Sequence, residues 1–274
     1  KELKDCELNK DEMRFSTDGK IYGDVKSKEN LEDFWIASVG KSLYEKYVKY
    51  YTQKMWMVDD NKVIDNFGWS PKGVTINKGA ISSAWADAIS AYPTDYKGYN
   101  KWFDIASSKT KLLLNTTISN YDIHNLSVTI AGEKLNFDII INTISPDILF
   151  EFCYGELPYI GRDLMKIILP VKDLFPKNVY FAYYAGKEKF TRIVDFKKLT
   201  NQNLDSPTSL ITIEMPSKNG KYYPLPLKSQ INKAKKYIDE MPDNVFSIGR
   251  AGSYDYGVDI DDGIDQAMKI INNL

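Results

Sequence analysis

The chain closes on SIGRAGSYDYGVDIDDGIDQAMKII, Ser247–Ile271, where Arg250, two tyrosines and four aspartates (Asp255, Asp259, Asp261, Asp262) fall in a glycine-rich turn. Only 4 of the 36 basic residues are arginine: Arg14, Arg162, Arg192 and Arg250. A guanidinium grips a carboxylate or phosphate with a planar fork, where lysine offers a point charge. The turn leads into a helix beginning near Asp261 or Asp262, and amides at a helix start attract anions or carbonyl oxygens; the plainer alternative is that the aspartates cap it. A second stretch, FTRIVDFKKL, sets Arg192 on one strand face with Phe190 and Val194. A cation on an apolar face needs a partner such as a carboxylate or phosphate, and the plainer alternative is a salt bridge to Glu188 or Asp195. A third, YEKYVKYYTQKMW, spaces Tyr44, Tyr47, Tyr51 and Trp56 near helical period, with Lys46, Lys49 and Lys54 between them. It reads either as a core stripe or as a face that stacks a base and meets phosphate. A fourth, GKYYPLP, holds Tyr223 extended before Pro224, as a packed loop or as a binding edge.

Elements of both kinds must position these residues. Apolar spacing predicts a helix over 29–57, through Leu31, Phe34, Trp35, Ser38 and Val39. Residues 68–93 mix turn signals with short apolar runs, and DYKGYNKWFDIASS reads as a short helix. LSVTIAGEKLNFDIIINTI predicts a hairpin turning near Gly132 and then a buried strand, Phe137–Thr143. KIILPVKDLFPKNVYFAYYA and SLITIEMP read as further strands, and KSQINKAKKYIDEMP as a helix that Pro242 ends. Strands broken by helices argue for α/β or α+β.

With 274 residues, 43% of them hydrophobic and 27% charged, the chain suits a large core and one or two domains. A net charge of −1 gives no global field for nucleic acid or an anionic membrane. No apolar run reaches the roughly 18 residues of a membrane span. The charged opening, KELKDCELNKDEMRF, does not read as a signal peptide. Cys6 and Cys153 read as thiols in a reducing cytoplasm rather than a disulfide. One histidine and two cysteines leave no His/Cys metal site. His124, in NYDIHNLSVTI, reads as a solvated turn residue. Neither G-x-G-x-x-G nor G-x-x-x-x-G-K occurs, so the sequence holds no recognisable phosphate loop.

Taken in order, the four stretches resemble the UDP-galactopyranose mutase family. VGKSLYEKYVKYYTQKMW is similar to that family's GRxLYExFxxGYTxKQW, FTRIVDFKKL to YTRITEHKxF, YYPLP to YYPI, and SIGRAGSYDYGVDIDDGIDQAM to xVGRLGxYRYxDMDxxIxxA. The intervening FDIIINTISPDILFEFCYGELPYIGRDLMKI is similar to YDxVxxTGPxDxFFxYxxGxLxYRSLxF. The resemblance covers roughly residues 30–274. It implies FAD as cofactor, reduced for activity, and interconversion of UDP-galactopyranose and UDP-galactofuranose through a covalent adduct of the reduced flavin. It implies Tyr47 and Tyr51 on the uridine, Trp56 at the sugar, Arg192 on the diphosphate with Tyr223 and Tyr256 donating to it, and Arg250 and Asp259 beside the flavin.

The implied architecture is a mixed α/β fold: a partial Rossmann-like flavin domain, a helical segment and a twisted antiparallel substrate sheet. Residues 1–58 would be the helical segment, 59–96 and 149–215 the sheet, and 97–148 and 216–274 the remnant of the flavin domain. The family's opening G-x-G-x-x-G segment is missing, so the chain is expected to be a fragment or split gene product that needs that half to hold FAD. An arginine of the family's mobile loop has no counterpart at 57–105, with Lys72 the stand-in. A non-catalytic UDP-sugar binding module and another flavin oxidoreductase stand as alternatives, and a homodimer is left open.

Overall fold

The computed structural model describes residues 28–67, 93–95, 97–176 and 179–274. Cys6, Arg14, Lys72 and nearly all of the 68–93 stretch lie outside the described residues.

The expected helix over 29–57 is interrupted. Helix α1 (Leu31–Val39) starts at Asn30, whose side chain accepts from the Asp33 N–H at 2.9 Å. It stops at Gly40, where φ is 84°, an angle glycine adopts without a Cβ clash. The chain resumes through a short turn, α2 (Lys41–Leu43), a π-helical segment, Tyr44–Val48, and α3 (Lys49–Trp56). The wider π turn shifts the phase of the residues after it relative to those before. Tyr44 is buried, Tyr51 is half-buried and Tyr47 is 40% exposed. Asn61, fully buried, then donates to the Tyr44 hydroxyl at 2.9 Å and the Lys49 carbonyl at 3.0 Å, tying the two helices together.

Helix α4 (Gly98–Ala106) precedes an antiparallel sheet of β1 (Ile118–Asp122), β2 (Ser127–Ile130) and β3 (Glu133–Asn136). The β2–β3 hairpin turns at Ala131 and Gly132, both at positive φ, as expected of a tight hairpin. His124 is exposed in the 3-10 turn between β1 and β2. The buried strand expected over Phe137–Thr143 is shorter: β4 (Ile140–Asn142) leaves Ile141 48% exposed and Phe137 46%. Among the described residues its sheet has two strands, β4 and β10.

After α5 (Pro146–Leu149) come β5 (Tyr159–Leu169), β6 (Phe181–Tyr183), β7 (Arg192–Asp195), α6 (Phe196–Thr200), β8 (Ser209–Ser217) and β9 (Tyr223–Pro224). These strands form an antiparallel sheet in the order β6-β7-β8-β5-β9. Helix α7 (Lys228–Asp239), β10 (Val245–Ser247), α8 (Gly249–Gly252) and α9 (Ile260–Asn273) complete the chain, with β10 parallel to β4. Among the described residues, no helix is long and apolar enough to cross a membrane and no group of three or more His, Cys, Asp or Glu could hold a metal.

Two apolar clusters meet at the start of β5. Tyr159 belongs to one, with Leu157, Ala234, Tyr237 and Tyr254. Ile160, on the opposite strand face, belongs to the other, with Leu31, Trp56 and Ile64. Beside them Asp147, fully buried, accepts from the Leu157 N–H at 2.7 Å, from Ser145 and from Lys221 at 3.3 Å. It thereby clamps the 146–157 loop to the segment leading into β9. Asp147→Ala strips that loop of its acceptor. We expect about 2–3 kcal/mol of lost stability, read from urea unfolding, because a buried donor and a cation lose their partner together.

Candidate functional site

Strand register brings the first pair of arginines together. Arg192 on β7 lies opposite Glu214 on β8, and Glu214 lies opposite Leu164 on β5, two residues from Arg162 on the same face. Glu214 accepts from Arg192 Nε at 3.1 Å and from its Nη2, from Arg162 Nε at 3.3 Å, and from Thr191 Oγ1 at 3.2 Å. The partner of Arg192 is therefore Glu214, not the expected Glu188 or Asp195. Glu188 pairs with Lys54 at 3.6 Å, and Asp195 is buried facing the Leu174 N–H. Burial pulls the Arg192 guanidinium down, and the adjacent Glu214 outweighs it, so its pKa ends above the ordinary value.

From this trio a line of rings runs in both directions. Arg192 lies 5.8 Å from the Tyr183 ring, and Tyr183 meets Tyr51 edge-on at 5.7 Å. On the other side Arg162 stacks 4.5 Å from the Tyr223 ring, and Tyr223 packs on Tyr256 at 5.7 Å. Tyr256 in turn meets Trp56 edge-on at 5.0 Å. Arg250 covers Tyr223 and Tyr256 at 5.5 and 5.3 Å. Its Nε donates to the Val258 carbonyl at 3.0 Å and its Nη2 to Asp259 at 2.6 Å, closing the turn between α8 and α9. Asp259 also caps α9: the Asp262 carboxylate accepts from its N–H at 2.9 Å, so helix α9 opens at Ile260, next to the expected Asp261.

Tyr51, Trp56, Arg192, Tyr223, Tyr256, Arg250 and Asp259 thus share one network. Tyr47 lines a cavity together with Tyr51. Trp56 is 1% exposed, a floor beneath Tyr256 rather than an open wall. Glu214 was not singled out from sequence, although it had a signal, a carboxylate within the apolar run SLITIEM. Arg162 stands out as a scarce arginine inside a stretch similar to the family's, yet no specific site role was assigned to it. A cavity of about 570 Å³ opens beside Tyr223, Arg250 and Asp259, with Lys221 and Gly263 on its walls. A second, of about 390 Å³, lies between α1 and α3.

Burial pushes the Tyr51 phenol up, helped by Tyr183 and Glu214, and pushes Tyr256 up, helped by Tyr223. Tyr159 and Tyr254 move the same way through burial. A phenol raised above its ordinary pKa of about 10 holds its proton more tightly folded than unfolded. Its contribution is complete below pH ~10 and is lost as pH rises through the folded value. The urea midpoint should fall between about pH 9 and pH 11, and less steeply in Tyr256→Phe. A midpoint flat across that range would contradict the burial of these phenols.

A family model described as UDP-galactopyranose mutase matches residues 46–256. The UDP-galactopyranose mutase of Mycoplasma genitalium is 28% identical over 142 residues, 47% of this chain and 33% of that protein. The chain therefore spans about a third of the length of this curated relative. A crystal structure of reduced UDP-galactopyranose mutase shares the fold, with a TM-score of 0.67 at 14% identity over 96% of this chain and 72% of that one. The matched residues run from the tyrosine helix to Tyr256 in the ring stack, across most of the site built above, and this chain belongs to the UDP-galactopyranose mutase family.

Proposed function

We propose that the network is the UDP-sugar side of a mutase site and that, with a reduced flavin bound, it interconverts UDP-galactopyranose and UDP-galactofuranose. The observation that carries this reading is the pair of arginines held by Glu214 beside the Tyr223–Tyr256–Trp56 rings. Two guanidiniums share one carboxylate, which leaves a unit of positive charge for a diphosphate. Arg192, the more exposed of the two, takes that anion and stabilises it as it leaves the sugar. Tyr223 and Tyr256 donate hydroxyls to it, and Tyr256 stays protonated because its burial favours the neutral phenol. Tyr47 and Tyr51 flank the uridine. Trp56 seats Tyr256 and so shapes the sugar pocket from beneath.

The residues fit the ring and ribityl end of FAD. The 570 Å³ cavity offers the Arg250 guanidinium, the start of α9 and a floor opened by Gly249 and Gly263, which face each other without side chains. For the dinucleotide end the sequence has no phosphate loop. When bound, a reduced flavin supplies a nucleophilic ring nitrogen for the anomeric carbon without net redox change. Arg250 and Asp259, tied to each other, would fix the ring's polar edge. The same reading assigns residues 97–148 and 216–274 to the flavin side, which the β4–β10 pairing joins, 59–96 and 149–215 to the substrate sheet, and 1–58 to the helical part.

A second reading is UDP-sugar binding without catalysis. Calorimetry with UDP, a flavin absorption spectrum of the purified chain and turnover after dithionite reduction separate the two. We expect UDP to bind and Arg192→Ala to weaken it at least about tenfold, as for loss of a charge-assisted contact. Undiminished binding in that variant removes Arg192 from the site. Binding without flavin or turnover leaves the second reading.

A further inference from the structure

The loop that joins β8 to β9 carries the one Asn-Gly pair in the sequence, Asn219–Gly220. The turn itself calls for the glycine: its φ is 83°, and a Cβ there would also press on the Tyr222 ring. A glycine after an asparagine leaves its own amide nitrogen without a side chain to shield it. Both residues are exposed, and the Gly220 N–H donates to no acceptor among the described residues. A nitrogen that is neither shielded nor bonded can close on the carboxamide of the residue before it, the weakness that makes asparagine thermolabile.

The contacts of Asn219 give that reaction a consequence. Its Nδ2 donates to both oxygens of Asp163, at 3.2 and 3.3 Å, and so ties the loop to β5. Its main-chain carbonyl lies so close over Gly161 of β5 that a Cβ on Gly161 would collide with it. Strand β9 follows within a few residues, and from it Tyr223 meets the Arg162 guanidinium at 4.5 Å.

We propose that Asn219 is a site of spontaneous deamidation, and that the reaction releases the β8–β9 loop from β5. The Gly220 nitrogen attacks Asn219 Cγ. A new C–N bond forms as the Cγ–Nδ2 bond breaks, and ammonia leaves with the amide proton. Water then opens the cyclic imide at one of its two carbonyls, at Cγ to give aspartate or at the main-chain carbonyl to give isoaspartate, with no change of oxidation state. Either product sets a second carboxylate where Asp163 had a donor. Isoaspartate also adds a methylene to the main chain, where the contact with Gly161 leaves no slack.

Ageing the purified chain in mildly alkaline buffer tests this, read by mass-spectrometric peptide mapping and by urea unfolding. Residue 219 should convert to aspartate and isoaspartate ahead of every other asparagine, and the urea midpoint of the aged chain should fall below that of fresh chain. Asn219→Gln, whose longer side chain closes the ring far more slowly, should age without that fall. Fresh Asn219→Asp, with the acid but an unaltered main chain, should lie between fresh and aged wild type. An amide that persists at 219 in the folded chain while the urea-unfolded chain converts overturns the proposal. So does an unchanged midpoint once 219 has converted, or an equal fall in aged Asn219→Gln.

Discussion

Glu214 is the contact on which the site depends. Without a shared anion, two guanidiniums on the strands either side of β8 repel each other and turn outward. With it, they are fixed on one sheet face, one stacked on Tyr223 and the other beside Tyr183. The carboxylate reaches both only because β7, β8 and β5 pair in one register. A slip of a single residue would send Glu214 to the opposite face. The opposite face of the same strands, including the buried Ile211, holds that register. The polar site and the apolar core are thus two faces of one sheet, and neither is specified without the other.

The ring line extends this constraint to the chain ends. Trp56 lies at the end of α3, Tyr223 on an edge strand and Tyr256 in the α8–α9 turn, and they touch although some 200 residues separate the first from the last. Edge-on contacts of this kind add to area burial because the positive rim of one ring meets the negative face of the next. Arg250 locks the last part by bonding Val258 and Asp259 while lying over two of those rings. The closing turn is therefore held by its own arginine before any ligand enters.

Local features were legible in the sequence, and distant pairings were not. The Gly132 hairpin, the helix before Pro242 and the strand–turn–helix at the C-terminal end follow from short-range turn, cap and period rules. The scarcity of arginine pointed to Arg192 and Arg250 through the chemistry lysine does not supply. The partner of Arg192 was missed because nearness in sequence favours Glu188 and Asp195, whereas sheet pairing delivers Glu214 from 22 residues away. The break at Gly40 was missed because apolar periodicity runs straight through it. Likewise β4 reads as a buried strand by composition, but its burial depends on what packs over its two faces, and its partner among the described residues, β10, lies about a hundred residues further along the chain.

The distribution of arginine and lysine follows from what each contact asks. Lysines in this structure bring a point charge to several oxygens at once: Lys197 gathers the Ser206 and Thr208 carbonyls at 3.0 and 3.1 Å, and Lys221 reaches Asp147 and Glu156 beside the Tyr159 ring. A tetrahedral ammonium on a flexible stem suits such tasks. Each arginine among the described residues donates to a carboxylate through its planar edge while the guanidinium lies near an aromatic ring. Only a planar, delocalised cation can present its edge to one partner and its face to another. Replacing any of the three by lysine would keep the charge and lose the geometry, and the charge alone does not order the rings. In a chain this rich in lysine, arginine marks where direction matters as well as charge, and those positions converge on one site.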